Sequence, residues 1–127
     1  MNIPEDLKYT KTDEWVKVEA EIATIGITDY AQDQLSDIVF AEIVVSVGDT
    51  LELGKGIATV ESVKAAADVT SPLSGKVLEV NEEVNRSPEL LNSDPFGRAW
   101  LIKVEITLSA ELNELLDTES YRIFRNE

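Results

Sequence analysis

The chain has 127 residues, 43% of them hydrophobic, with no cysteine, no histidine and a formal net charge of −14. That length fits one domain, residues 1–127, with a real core; the missing residue types exclude disulfides, thiolate catalysis, cysteine-based metal sites and histidine acid–base work. The 25 acidic residues against 11 basic ones repel nucleic-acid phosphates and anionic membranes, and favour a basic protein surface or a cationic ligand. No apolar run is long enough to span a bilayer. The opening MNIPEDLKYTKTDEW lacks the basic-then-apolar order of a signal peptide. No loop has the aspartate spacing of a calcium site. A self-sufficient enzyme is therefore the least attractive reading.

In chain order, Trp15–Glu19 alternates as a strand, Ala20 and Glu21 form a turn, and a second strand continues to Ile27. The hairpin lacks Asn-Gly or Asp-Gly at its turn. Thr28 stands as a helix cap before DYAQDQL, with Asp29 in the favourable first turn, and about two turns of helix follow. Asp37–Val45 is β-branched and strand-like, then glycines at 48, 54 and 56 break the chain. Alternation resumes over Ile57–Glu61, again over Ala65–Val69, and again over Lys76–Val80. The stretch Asn81–Ala99, with Pro88 and Pro95, reads as connection with a brief turn. Trp100–Ile106 returns as a strand, with Trp15 and Trp100 expected in the core. Ser109 and Thr118 are placed to cap two short helices, packed through Leu112, Leu115, Leu116, Tyr121 and Phe124.

Val47–Gly54 is echoed by Ser74–Val84 on the other side of a hairpin at Lys64, which points to approximate two-fold symmetry. Short strands, frequent glycines and few aromatics fit a small, mainly β sandwich or flattened barrel. At the hairpin tip, Glu61, Ser62 and Val63 precede Lys64, and Ala65 follows it. Small neighbours on rigid strands present the amine for covalent use by another protein. Glu61 and Asp68 make it a poor bare catalytic amine, because a Schiff-base lysine needs burial or positive neighbours. The bland alternative is a solvated hairpin lysine paired with Glu61.

The segment VESVKAAADVTSPLSGKV resembles the attachment segment of lipoyl-carrying proteins, and within them that of the glycine cleavage system H protein family. The resemblance continues through YTKTDEWV (residues 9–16), IGITDYAQDQLSDIVFAE (25–42), Gly48-Asp49, the block 81–104 and the tail around Leu115–Tyr121. It implies a lipoyl/biotinyl-carrier-like barrel-sandwich hybrid with one short internal helix and short C-terminal helices. It also implies lipoate in amide linkage on Lys64, with Glu61, Ser62, Val63 and Ala65 supporting recognition or the turn. The implied function is a non-catalytic shuttle carrying an aminomethyl group from the pyridoxal-phosphate glycine decarboxylase to the tetrahydrofolate-dependent aminomethyltransferase. Dihydrolipoamide dehydrogenase would then reoxidise the arm, and a lipoate ligase or lipoyl transferase would attach it. By the same resemblance, Glu14 lies near the cleft where the loaded arm docks, and Asp68 near it through the hairpin; a carboxylate there would hold the cationic amine. A soluble cytoplasmic monomer is implied, bacterial in the first instance, with a mature mitochondrial form left open. Two alternatives stand beside it: an H-like lipoyl protein serving lipoyl relay, and an unmodified adaptor module. Three positions depart from the family pattern. Asp13 stands where histidine is usual, and Ser36 and Ala99 stand where glycine is usual; Ser36 demands a backbone that tolerates a side chain.

Overall fold

The computed structural model describes residues 1–126. The short strand β1 (Lys8–Tyr9) leads into the hairpin of β2 (Glu14–Glu19) and β3 (Ile22–Ile27), turned through Ala20 at φ +56°. Helix α1 (Asp29–Leu35) follows, capped by the Thr28 hydroxyl, which accepts from the Ala31 amide at 3.2 Å. Strands β4 (Ile38–Ile43), β5 (Thr50–Leu51), β6 (Gly56–Ser62), β7 (Ala66–Thr70) and β8 (Gly75–Val80) come next. After helices α2 (Glu82–Arg86) and α3 (Leu90–Ser93) come β9 (Ile102–Ile106), a 3-10 turn at Ser109–Glu114 and α4 (Thr118–Phe124).

The strands form two sheets, one in the order β1-β2-β3-β9-β8-β5 and one in the order β4-β6-β7. Alternation explains their packing. Val16, Ile25, Val77 and Val104 of the larger sheet and Ala41, Ala58, Val60 and Val69 of the smaller one are buried in a shared core. The echoing segments lie side by side, with Thr50 opposite Lys76 and Leu51 opposite Gly75. A second cluster gathers Ile3, Tyr9, Trp15 and Tyr121, where the two tyrosine rings stack at 4.6 Å. Trp15 lies across Gly26, its register partner. A Cβ there would stand 2.6 Å from the indole, so only glycine fits.

Five expectations need correction. The block after Asn81 is two helices rather than bare connection. Their asparagines cap the edge of β4: Asn85 Oδ1 accepts from the Ile43 amide at 3.0 Å and Asn92 Oδ1 from the Ile38 amide at 2.9 Å. An edge so covered cannot pair with another chain. Ser109 makes no side-chain cap and opens a 3-10 turn, not an α-helix. The cap of α4 is Asp117, whose carboxylate accepts from the Ser120 amide at 2.8 Å, while Thr118 turns inward and donates to the Pro4 carbonyl. Phe124 is 41% exposed and does not serve the core. Trp100 stays outside β9, half-buried, with the Lys103 ammonium 5.1 Å from its ring centre.

Candidate functional site

Strands β6 and β7 pair from Gly56↔Thr70 to Glu61↔Ala66, which leaves Ser62–Ala65 as the tip. The tip needs neither Asn nor Gly, because Ser62 supplies the turn chemistry. Its hydroxyl oxygen accepts from the Lys64 amide at 3.1 Å and the Ala65 amide at 2.9 Å, and its own amide donates to the Ala65 carbonyl at 2.7 Å. Neither Val63 nor Lys64 has positive φ. The Val63 amide donates to the Asp37 carbonyl at 3.1 Å, tying the tip to the start of β4. Lys64 is exposed, and its Nζ donates to the Gln34 carbonyl at 3.3 Å, at the C-terminal end of α1. Among the described residues Lys64 forms no ion pair with Glu61 or Asp68. The pairing with Glu61 that belonged to the bland alternative is thus not formed among the described residues.

Along β7 the period of two places Ala66, Asp68 and Thr70 on the outward face, while Val69 enters the core. Asp68 is exposed and takes a long 3.5 Å contact from the Thr59 hydroxyl. This face runs from the tip to the other end of the sheet, about 20 Å from Lys64 to Thr70 at the usual strand rise. There it opens on a cleft of about 340 Å³ lined by Thr12, Glu14, Leu53, Thr70, Pro72 and Leu115 among others.

Glu14 sits at the base of that cleft and is only 3% exposed. Its Oε1 accepts from the Thr10 and Thr12 hydroxyls at 2.7 and 2.6 Å. Burial pushes its carboxyl above the usual range; the threonine hydroxyls and the Thr70 amide oppose that rise, and the neighbouring Asp13 charge adds to it. None of the five ion pairs among the described residues includes Glu14. A small cation entering the cleft would supply the missing partner.

Asp13 is not a solvated carboxylate but one side of an ion pair. Arg125 grips it, with Nε at 2.9 Å and Nη2 at 2.6 Å, and the Tyr121 hydroxyl bridges Asp13 Oδ1 and Thr28 Oγ1. Ala99 is buried without positive φ. Ser36, by contrast, stands at φ 65°, ψ −150°, a conformation nearly restricted to glycine. The backbone there does not suit a side chain. Sequence reasoning also missed Asn92: its Nδ2 donates to the Ser36 carbonyl and to Gln32 Oε1, so it holds the α1–β4 connection beneath the tip. Nothing in a polar loop reading marks it out.

Two face-to-face, unclosed sheets that present a lysine hairpin define a lipoyl-carrier domain of the barrel-sandwich type. Residues 7–127 match the family model described as glycine cleavage H-protein. Glycine cleavage system H proteins are 56% identical in Carboxydothermus hydrogenoformans, over 94% of this chain and 91% of that one, and 52% identical in Thermotoga maritima, over 92% and 94%. The crystal structure of a glycine cleavage system H protein from Mycobacterium marinum superposes with a TM-score of 0.89 at 33% identity, covering 98% of this chain and all of the other. The chain belongs to the glycine cleavage H-protein family. It is a non-catalytic carrier whose working group is a covalently attached lipoate. Among the described residues no helix is long and apolar enough to cross a membrane.

Proposed function

We propose that Lys64 carries the lipoyl group and that Glu14 receives the loaded end of the arm. The observation that supports this most is the continuous outward face of β7, leading from an exposed lysine to a buried carboxylate without a counter-ion. The tip fits an acyl arm: the amine is exposed and held by a single carbonyl rather than an ion pair. Its neighbours Val63, Ala65 and Ala66 are exposed, so amide formation displaces nothing from the core. When bound, the lipoyl group supplies a disulfide that accepts the aminomethyl fragment of glycine and is afterwards reoxidised.

The chain's own residues do the holding. Ser62 and Ala65 keep the tip closed while the arm swings. Asp68 lies on the route of a cationic cargo returning toward the cleft, and Glu61 stands beside the attachment point. Ionised Glu14, oriented by Thr10 and Thr12, pairs with the cargo's ammonium group in a site shielded from bulk water, which slows its loss. In this reading the partners are the decarboxylase, the aminomethyltransferase, dihydrolipoamide dehydrogenase and a lipoylating enzyme, met in the cytoplasm by a monomer. Reconstitution with the decarboxylase and labelled glycine tests it. Glu14→Gln should load normally and lose label faster than wild type; equal rates of loss would remove Glu14 from the role.

A further inference from the structure

The β4–β6 register has one irregularity. Ile38 pairs with Ser62 and Phe40 with Glu61, so Val39 is an extra residue. Such a bulge re-aims the side chains of a strand. Ile38 and Ala41 enter the core, while the consecutive Val39 and Phe40 both face solvent, 59% and 44% exposed. Val63, 72% exposed at the tip, lies two residues along from Glu61, the cross-strand partner of Phe40. The Val63 amide donates to the Asp37 carbonyl at 3.1 Å, which holds the tip beside the start of β4. Three large apolar side chains are thus grouped in water beside Lys64, where an interaction surface is the usual meaning. Their surroundings carry one sign of charge: Glu42, Glu61 and Asp68 are the charged residues of β4, β6 and β7, Asp37 precedes β4, and no arginine or lysine lies on those strands.

We infer that Val39, Phe40 and Val63 are the docking face for the enzyme that acylates Lys64, and that this enzyme meets them with an apolar recess inside a basic rim. The inference rests on Lys64 being the attachment residue. Acyl transfer brings an activated carbonyl carbon to bonding distance of Nζ, so the enzyme must cover the side chains around the tip. Enzymes acting at the far end of a long arm have no such requirement. In the step, the deprotonated amine attacks the carbonyl of a lipoyl adenylate. The C–N bond forms, the anhydride C–O bond breaks, AMP leaves with the electron pair, and the amine proton passes to solvent. The acidic ring attracts the basic rim and speeds encounter.

The test uses full-length apo-protein with a purified lipoate ligase, ATP and lipoate. Phe40→Ser and Val63→Ser, both at exposed positions, should keep the wild-type Tm and raise the KM for apo-protein by about tenfold or more, as truncating an interface anchor does. Glu42→Lys should raise it as well, and more at low salt than at high salt. Val47→Ser, an exposed apolar position outside the patch, should leave it unchanged. Folded Phe40→Ser and Val63→Ser variants acylated with wild-type KM would overturn the docking face. So would apo-protein self-association that Phe40→Ser abolishes while acylation is unaffected, since the occupant would then be a second copy. Acylation of Lys64→Arg at the wild-type level would instead overturn the attachment assignment itself.

Discussion

The Arg125 guanidinium holds both carboxylate oxygens of Asp13, at 2.9 and 2.6 Å, and so fastens the last turn of the chain to the residue just before Glu14. Asp13 is itself at φ +70° in the loop that turns into β2. The two side chains are about one-fifth exposed, which places the pair between a solvated ion pair and a buried one. A double-mutant cycle with Asp13→Asn and Arg125→Gln should give a coupling of about 1–2 kcal/mol in urea unfolding. Additive effects would mean that the tail does not brace the Glu14 loop.

Ser36 carries a backbone conformation that suits glycine. Its amide and carbonyl are both used, by Asp33 and Asn92, so the strained conformation is held from both sides. Ser36→Gly should therefore stabilise the fold by about 1 kcal/mol, the relief of strain exceeding the added freedom of the unfolded chain. Chemical denaturation would show it as a higher midpoint at unchanged slope.

Glu14 should make stability depend on pH in an unusual direction for a carboxylate. Its folded-state pKa is raised, so its contribution to stability is full below the ordinary glutamate range near about 4.3 and is lost as pH rises through the raised value. At neutral pH the buried charge is a burden on stability, and in the proposed mechanism it is the group that holds the cargo. Glu14→Gln should thus raise Tm at pH 7 by roughly 3 °C, and the gain should vanish on acidification below the glutamate range. A gain that persists at low pH would point to packing rather than charge.

The Ser62 hydroxyl holds the Lys64 and Ala65 amides, beside the backbone bond from its own amide to the Ala65 carbonyl. Ser62→Ala should leave global stability within about 1 kcal/mol of wild type, while the Lys64 and Ala65 amides lose protection in hydrogen exchange. Protection that survives the substitution would show that the strands, not the serine, define the turn.

The strands were legible from alternation because one face of each meets a shared core, and α1 was legible because Thr28 and Asp29 are local signals. Lys64, the proposed attachment residue, stood out only through its family motif, since the amine by itself is an ordinary hairpin lysine. What escaped depends on distant partners. Helices α2 and α3 are short and interrupted by Pro88, and they gain their place by covering β4 through Asn85 and Asn92. Glu14 begins a run of three buried residues, Glu14 to Val16, because β2 is covered on both faces there; simple alternation cannot foresee that. Asp117 and Thr118 are adjacent cap formers, and only the Pro4 carbonyl decides that the threonine turns inward. The outward turn of Phe40 comes from a bulge, which leaves no composition signal.

The most direct test is peptide mass analysis of the protein after incubation with lipoate ligase, ATP and lipoate. One lipoyl increment on the peptide containing Lys64, absent in Lys64→Arg, is the outcome expected. An unmodified Lys64 peptide, or the increment on another lysine, would contradict the assignment on which the carrier mechanism rests.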